Sequence, residues 1–421
     1  MIVDIIEFFK ELNPDIIIKS PSRINLINPL DAVEGDFWMP SVAIEGLNNP
    51  LSVFVYLKRI ERNSKIVIYH LDRRNNSEIH KNLERDLNLD ISYIKDQFSG
   101  ELKLVYGSLY RIFLTNKAFW SLIKNSNLEV GILSTIPRQS GLGGSASIII
   151  ALIYGFSKLF GYINNNSKES LNEIPINRDI IAEMATKVED KDLKITAGYS
   201  DRYCISRGGL AFCSYVGKLS HNELQKEPLA IYDRIDKTYN IKELPIIVCY
   251  SGVSHKSGDV HYRLRKEYLG GNDEIIRYYT KLARIAWKSR FAIMKRDWKS
   301  LGQFFNINTS IMNNVMKAAG FKFGIGVANN ILIDIIRKNK YVLAAKLTGA
   351  GGGGSVFALT YPEKIDDVLN YWKNELHKLI DSDGFFKSKY PKIPLKICYG
   401  LKNAEFFKIK INTSGVSEIN L

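Results

Sequence analysis

Residues Pro137-Arg138-Gln139-Ser140-Gly141-Leu142-Gly143-Gly144-Ser145-Ala146-Ser147 place three glycines within four positions, after a strand-like stretch and before a dense apolar run. Glycine lets a backbone take left-handed conformations and approach a ligand closely. Backbone N–H groups that converge at the start of a helix, with its dipole behind them, form a site for phosphate. Ser145 and Ser147 add hydroxyls, one of which can reach a divalent cation. The stretch is neither GxxxxGK[ST] nor GxGxxG. Read alone, it is equally a glycine-rich turn capped by a serine.

A second glycine loop, Gly349-Ala350-Gly351-Gly352-Gly353-Gly354, lies between an apolar run at 341–347 and a strand-like run at 356–360. A flexible linker separates polar segments, whereas a loop held between two buried elements reads as a binding loop. Between the two loops runs Val188-Glu189-Asp190-Lys191-Asp192, followed by Asp201-Arg202 and then Gly208-Gly209-Leu210. Phosphoryl transfer to a hydroxyl needs charge neutralisation on the phosphates and a carboxylate facing the hydroxyl proton. These acids are candidates, and Arg23 is a cation able to offset developing charge. Each has a plainer reading. Acids at a helix end form a solvated terminus, Asp201 beside Arg202 forms an ion pair, and Arg23 sits at a strand edge.

The elements that must hold these groups are legible in outline. Two strands around a charged turn are expected over 51–70, a strand over 128–135, a buried helix over 145–160 and a second helix over 177–189. A long helical pattern covers 274–305, another covers 362–381, and 395–411 reads as closing strands. Asn164-Asn165-Asn166-Ser167 reads as a polar turn. Helices and strands mix without regular alternation, which predicts an α+β architecture. A chain of 421 residues suits two domains. The polar stretch around 220–240 is the expected boundary, dividing the chain into 1–225 and 226–421.

Composition excludes several classes. Hydrophobic residues at 45% and charged residues at 24% describe a globular protein, not a disordered one. No apolar run reaches the ~20 residues of a membrane span. Met1-Ile2-Val3-Asp4 carries an acid where a signal peptide carries positive charge, so a cytoplasmic protein is expected. Cys204, Cys213, Cys249 and Cys398 form no CxxC pair and read as reduced thiols. The net charge of +14 is spread along the chain and interleaved with acids, which reads as a solvated basic surface rather than a nucleic-acid footprint.

Pro137-x-x-x-Gly141-Leu142-Gly143-Gly144-Ser145-Ala146 resembles the central ATP-binding motif of the GHMP kinases (galactokinase, homoserine kinase, mevalonate kinase, phosphomevalonate kinase). Pro21-Ser22-Arg23-Ile24-Asn25-Leu26-Ile27-Asn28-Pro29-Leu30-Asp31, followed by Gly35, resembles that family's substrate-side motif. Lys346-Leu347-Thr348-Gly349-Ala350-Gly351-Gly352-Gly353-Gly354-Ser355 resembles its third. The three occur in the family's order across residues 21–355. The resemblance implies a two-domain fold, with an N-terminal domain like ribosomal protein S5 domain 2 and a C-terminal ferredoxin-like α/β domain. It implies ATP and magnesium as cofactors, with nucleotide held by Pro137, Gly141, Leu142, Gly143, Gly144, Ser145, Ala146, Ser147, Gly349, Gly351 and Gly352. By the same resemblance Glu189, with Ser145, is the metal ligand, while Asp190 and Asp192 compete with it. Asp201 is the base and Arg23 its catalytic partner.

Only Asp31 of the galactokinase Glu-His-x-Asp pattern is present, since Asn28-Pro29-Leu30 fills the rest. Asn28-Pro29-x-Asp31, Thr196-Ala197-Gly198-x-x-Asp201-Arg202 and Ser257-Gly258-Asp259-Val260-His261 more closely resemble the glucuronokinase branch. That likeness implies a sugar-like small molecule as acceptor, contacted by Asn28, Asp31, Arg202 and His261. Arg202 could pair with a uronate carboxylate through its planar fork, and His261 reads equally as a buried structural histidine. Galactose, arabinose, heptose and mevalonate acceptors stay open, as does a non-catalytic relative that binds sugar and nucleotide without turnover. An RNA-binding reading needs aromatic residues interleaved with basic ones on a strand face, and none is evident. No nucleic-acid or membrane partner is expected.

Overall fold

The computed structural model describes residues 5–27, 33, 39–72, 78–163, 176–215, 223–224, 230–253 and 257–420. Among these residues thirteen strands join into one sheet: β1 (Ile16–Asn25), β2 (Met39–Gly46), β3 (Ser52–Arg59), β4 (Lys65–Asp72), β5 (Glu78–Asp86), β6 (Leu128–Ser134), β7 (Leu210–Tyr215), β8 (Ala230–Asp233), β9 (Ile246–Tyr250), β10 (Val342–Leu347), β11 (Ser355–Thr360), β12 (Glu405–Ile411) and β13 (Ser417–Ile419). The spatial order is β10-β11-β9-β12-β2-β1-β3-β6-β4-β5, with β13 on β1, and β7 and β8 branching from β2. All pairs are antiparallel except β4 with β6.

β1 is the strand that matters most for the site. Residues 16–21 pair with β3, and residues 22–25 turn away to pair with β2. That change of neighbour carries Arg23 and Asn25 off one part of the sheet and toward the loop after β6. The helix Gly144–Leu159 packs across β1 and β3. Ile149, Ile150, Leu152, Ile153 and Phe156 are each fully buried there, and burial of such side chains contributes about 1.5–3 kcal/mol apiece. Gly155 permits the close approach, since a Cβ would stand 3.2 Å from Ile18.

In the second half of the chain, the helices Trp298–Ala318, Val327–Ile336 and Ile365–Ile380 cover β9, β10 and β11. The four cysteines are buried free thiols. No described helix is long and apolar enough to cross a membrane.

Three expected elements are corrected. The pattern at 274–305 is two helices, Asp273–Met294 and Trp298–Ala318. Arg296 takes a left-handed φ of 53° and the Asp297 side chain accepts the Ser300 N–H at 3.0 Å, so a new N-cap restarts the helix. The closing strands expected over 395–411 are a helix, Leu395–Leu401, followed by β12 alone. Pro394 opens that helix, and Cys398 and Leu401, three apart, are its buried residues. The second expected helix ends earlier than anticipated: Arg178–Lys187 gives way to a π-helical turn, Val188–Asp192, and Glu189 lies in that turn. The turn at 164–167 and the boundary at 225/226 lie outside the described residues.

Candidate active site

The loop after β6 is shaped by residues of positive φ: Gln139 (54°), Gly141 (71°) and Gly143 (83°). Gly143 occupies the cap of the helix Gly144–Leu159 in a left-handed conformation, where a non-glycine residue costs about 1–2 kcal/mol. Leu142 is buried and points its carbonyl at β1, accepting the Ser22 hydroxyl at 2.8 Å and the Arg23 N–H at 3.2 Å. Ala146 and Ser147 are buried as well, and the Ser147 hydroxyl is shared between the carbonyls of Pro21 (2.7 Å) and Gly143 (3.0 Å). Pro137, Gly141, Gly144 and Ser145 are half-buried and form the accessible lip.

The second glycine loop closes on the first. A Cβ at Gly349 would stand 3.0 Å from the Gly141 carbonyl, and one at Gly354 would stand 2.7 Å from that of Ser140. Gly351 and Gly352 also have positive φ, and Gly352 donates its N–H to Ile325 at 2.8 Å. The N-terminal segment joins them, because Thr348 Oγ1 accepts the Asn25 N–H at 2.9 Å. The three motifs are therefore stitched together by hydroxyl-to-backbone hydrogen bonds and by two glycine approaches too close for a side chain.

The acids separate clearly. Glu189, buried in the π turn, accepts the Ser145 hydroxyl on Oε1 at 2.7 Å, and its Oε2 is held by Arg202. Asp192 is bound bidentately by Arg111. Asp190 accepts Arg265 at 2.7 Å and the Ala197 N–H at 2.9 Å. Asp201, on the helix Ser200–Arg207, is held by Arg23, whose other terminal nitrogen donates to the Gly141 carbonyl at 2.6 Å. Arg202 lies 3.6 Å from the same carboxylate and donates to the Gly198 carbonyl at 3.0 Å.

Burial by itself would raise the pKa of Asp201, but the guanidinium groups of Arg23 and Arg202 outweigh it and hold the carboxyl down at about 2. Its Oδ1 is buried and makes no hydrogen bond among the described residues, although the Asn25 side chain stands close enough to help lower the pKa. His261 belongs to the helix Ser257–Leu269 and stands within electrostatic reach of Asp201. Burial pushes its imidazole down to about 3, and Nδ1 has no hydrogen-bond partner among the described residues. Asn28 and Asp31 lie outside the described residues.

Three motif residues, Asn25, Thr348 and Lys346, carry no role in the sequence reading, and Arg265 lies outside the motifs. Asn25 and Thr348 join β1 to the second glycine loop. Arg265, four residues beyond His261 and so on the same helical face, was open to recognition by that spacing alone. Lys346 is fully buried at the end of β10, with its ammonium 2.6 Å from the Leu347 carbonyl and 4.7 Å from the Phe357 ring centroid. Burial holds its pKa well below the ordinary lysine range.

Residues 109–209 match the N-terminal domain of the GHMP kinases, and residues 292–378 match their C-terminal domain. The chain is thus similar to the GHMP kinase family over both of these segments, in the family's order. A probable glucuronokinase of Arabidopsis thaliana is 28% identical over 247 residues, which are 58% of this chain and 60% of that protein. A mevalonate kinase of Thermococcus sibiricus is 27% identical over 292 residues, 66% of this chain and 74% of that one. The match thus spans less than two thirds of the plant relative's length. The crystal structure of Lactococcus lactis galactokinase complexed with galactose superposes with a TM-score of 0.65 at 16% identity, covering 98% of both chains. That likeness establishes the two-domain α+β GHMP kinase fold. The first family segment carries the phosphate loop, Glu189, Asp201 and Arg202, and the second carries Gly349–354. Arg23 precedes both segments and His261 falls between them.

Proposed function

We propose that this kinase transfers the γ-phosphoryl group of ATP to a hydroxyl of a sugar or sugar acid, with a glucuronokinase-like acceptor favoured. The observation that carries this reading is Asp201. It is an ionised, partly buried carboxylate tied by Arg23 to the phosphate-loop carbonyl of Gly141, with one buried oxygen left without a hydrogen bond among the described residues. A buried acceptor of that kind is costly unless a ligand completes it, and an acceptor hydroxyl donating to Oδ1 does so.

Held at about 2, Asp201 works mainly by orienting the hydroxyl and stabilising its developing positive character. Arg23 bridges base and phosphate loop and sets its charge where the transferred group becomes more negative. Ser145 and Glu189 fit a magnesium ion. Both offer hard oxygen, and their 2.7 Å separation is close to the ~2.9 Å between neighbouring oxygens of an octahedral magnesium. Bound there with ATP, magnesium supplies positive charge against the phosphate oxygens. We assign the nucleotide phosphates to Pro137, Gly141–Ser147, Gly349, Gly351 and Gly352. The nucleoside goes to a cavity of about 460 Å³ beside the π turn, lined by Tyr110, Arg111, Leu114, Lys191, Asp192 and Leu224. A cytoplasmic setting accords with this activity.

The uronate preference is supported by the plant glucuronokinases, with Arg202, His261, Asn28 and Asp31 assigned to the acceptor. Since Arg202 is engaged by Glu189, a sugar carboxylate would have to share that guanidinium. The longer match to an archaeal mevalonate kinase favours a mevalonate-type acceptor as the second reading. An ADP-release screen over glucuronate, galacturonate, hexoses, pentoses, heptoses, inositols and mevalonate is expected to single out one acceptor. Purified protein that binds ATP with magnesium yet releases no acceptor-dependent ADP would instead identify a binding protein.

A further inference from the structure

We propose that Arg265 is a positioning residue whose pairing with Asp190 docks the Ser257–Leu269 helix onto the link between Glu189 and Asp201, and thereby sets where His261 stands in the acceptor site. The inference rests on the kinase reading above for its consequence, though not for its geometry. Arg265 Nη1 donates to Asp190 Oδ1 at 2.7 Å and Nη2 donates to the Ala197 carbonyl at 2.8 Å. Asp190 Oδ1 also accepts the Ala197 N–H at 2.9 Å. One guanidinium thus grips both ends of the 190–197 link, whose flanks are the Glu189 turn and the helix bearing Asp201.

The helix is held elsewhere by Arg263, which donates to the Ala319 carbonyl at 3.4 Å and lies over the Phe321 ring, and by Tyr268, whose ring meets that of Tyr279 edge-on. Val260 and Leu264 are buried and face the core, and the helix packs on Asp273–Met294. Its other face carries His261 and Arg265, one turn apart. The pair is largely withdrawn from water, at 12% and 13% side-chain exposure. A two-pronged contact of this kind needs the planar fork of arginine, which lysine cannot reproduce. Arg265 and His261 ride on the same helix, so it is the groups off it, Asp201, Arg202 and Arg23, whose distance from the ring changes when the helix moves.

The test uses full-length protein labelled at histidine, with His261→Gln identifying its signal among the six histidines. In Arg265→Met and in Asp190→Asn the His261 ring signals should shift, and its titration should move up toward the ordinary range. The acceptor KM should rise about tenfold while the ATP KM changes less than about twofold, as expected for displaced acceptor contacts. The charge exchange Asp190→Arg/Arg265→Asp should recover part of the acceptor affinity. A folded Arg265→Met or Asp190→Asn protein that keeps the wild-type His261 signature overturns the proposal, and so does an equal rise in both KM values. If Arg265→Met does not fold, Asp190→Asn, which retains a hydrogen-bonding side chain, decides the matter. The histidine signal needs no turnover, so failure of docking is distinguishable from failure of the kinase reading.

Discussion

The Ser145 hydroxyl donates to Glu189 Oε1 across 2.7 Å, joining the first turn of the helix behind the phosphate loop to a π turn 44 residues later. Regular α-helical geometry ends at Lys187, and a π turn re-aims the side chains that follow it. Three acids in four residues thereby share no partner: Glu189 goes to Ser145 and Arg202, Asp190 to Arg265, and Asp192 to Arg111. A cluster that reads in one dimension as interchangeable carboxylates is, in the fold, a single acid at the phosphate loop and two structural ion pairs.

Glu189→Gln should therefore weaken metal dependence selectively. Loss of one ligand charge is expected to shift the magnesium activation midpoint upward by about tenfold or more, whereas Asp192→Asn should leave it in place. Asp192→Asn instead weakens a buried pair with Arg111, and its cost should appear in the urea midpoint. An unmoved magnesium titration in Glu189→Gln would take the metal role away from this residue.

Asp201→Asn should lower turnover by about a thousandfold or more, as expected when the group facing the nucleophile loses its charge. Nucleotide affinity should change little, because the phosphate loop keeps its contacts with Ser22, Ser147 and the second glycine loop. Single-turnover rates alongside fluorescence binding of an ATP analogue separate the two effects. Near-normal turnover would mean another group faces the acceptor.

Much of this site was legible from residue order. The two glycine loops stand out by local pattern, because glycine spacing and strand-to-helix transitions are local properties, whereas Arg23, Glu189 and Asp201 come forward through the resemblance to the family's motifs. Partnership was not legible. Nothing in the sequence tells that Arg23 would hydrogen-bond Asp201 while the adjacent Arg202 stands off at 3.6 Å, since that depends on β1 leaving β3 for β2. The split of 274–305 into two helices turned on one left-handed residue, Arg296, inside an otherwise continuous apolar periodicity. The helix at Leu395–Leu401 was missed because seven residues hold too few turns to distinguish spacing three from spacing two.

Gly349→Ala should abolish tight nucleotide binding while leaving the fold intact. Its φ of 74° is left-handed and the new Cβ would stand 3.0 Å from the Gly141 carbonyl. Backbone strain of about 1–2 kcal/mol and a forced separation of the two loops act together at one point. Isothermal titration with a non-hydrolysable ATP analogue should show at least about a tenfold loss, since 1.4 kcal/mol corresponds to one decade. Gly384→Ala, where a Cβ meets nothing within 4 Å, is the matched control. Equal affinities in the two variants would separate the second glycine loop from the phosphates.

Acid should unfold the protein in two stages that report on His261 and then Asp201. His261 is held neutral, with its pKa pushed down to about 3 from 6.5. As pH falls below 6.5 the unfolded chain takes up a proton that the folded chain refuses, so stability declines through that window until about pH 3. Asp201 is depressed from 3.8 to about 2. Its contribution, on the order of 2 kcal/mol, is present above pH 3.8 and disappears as pH falls through 2. Urea midpoints measured at steps between pH 7 and pH 3 should thus fall less steeply between 6.5 and 4 in His261→Gln than in the wild type. In Asp201→Asn the change should be confined to the region below pH 4. A His261→Gln curve parallel to wild type would mean that the imidazole is not held neutral by burial beside Asp201, and the acceptor site would then have to be drawn without it.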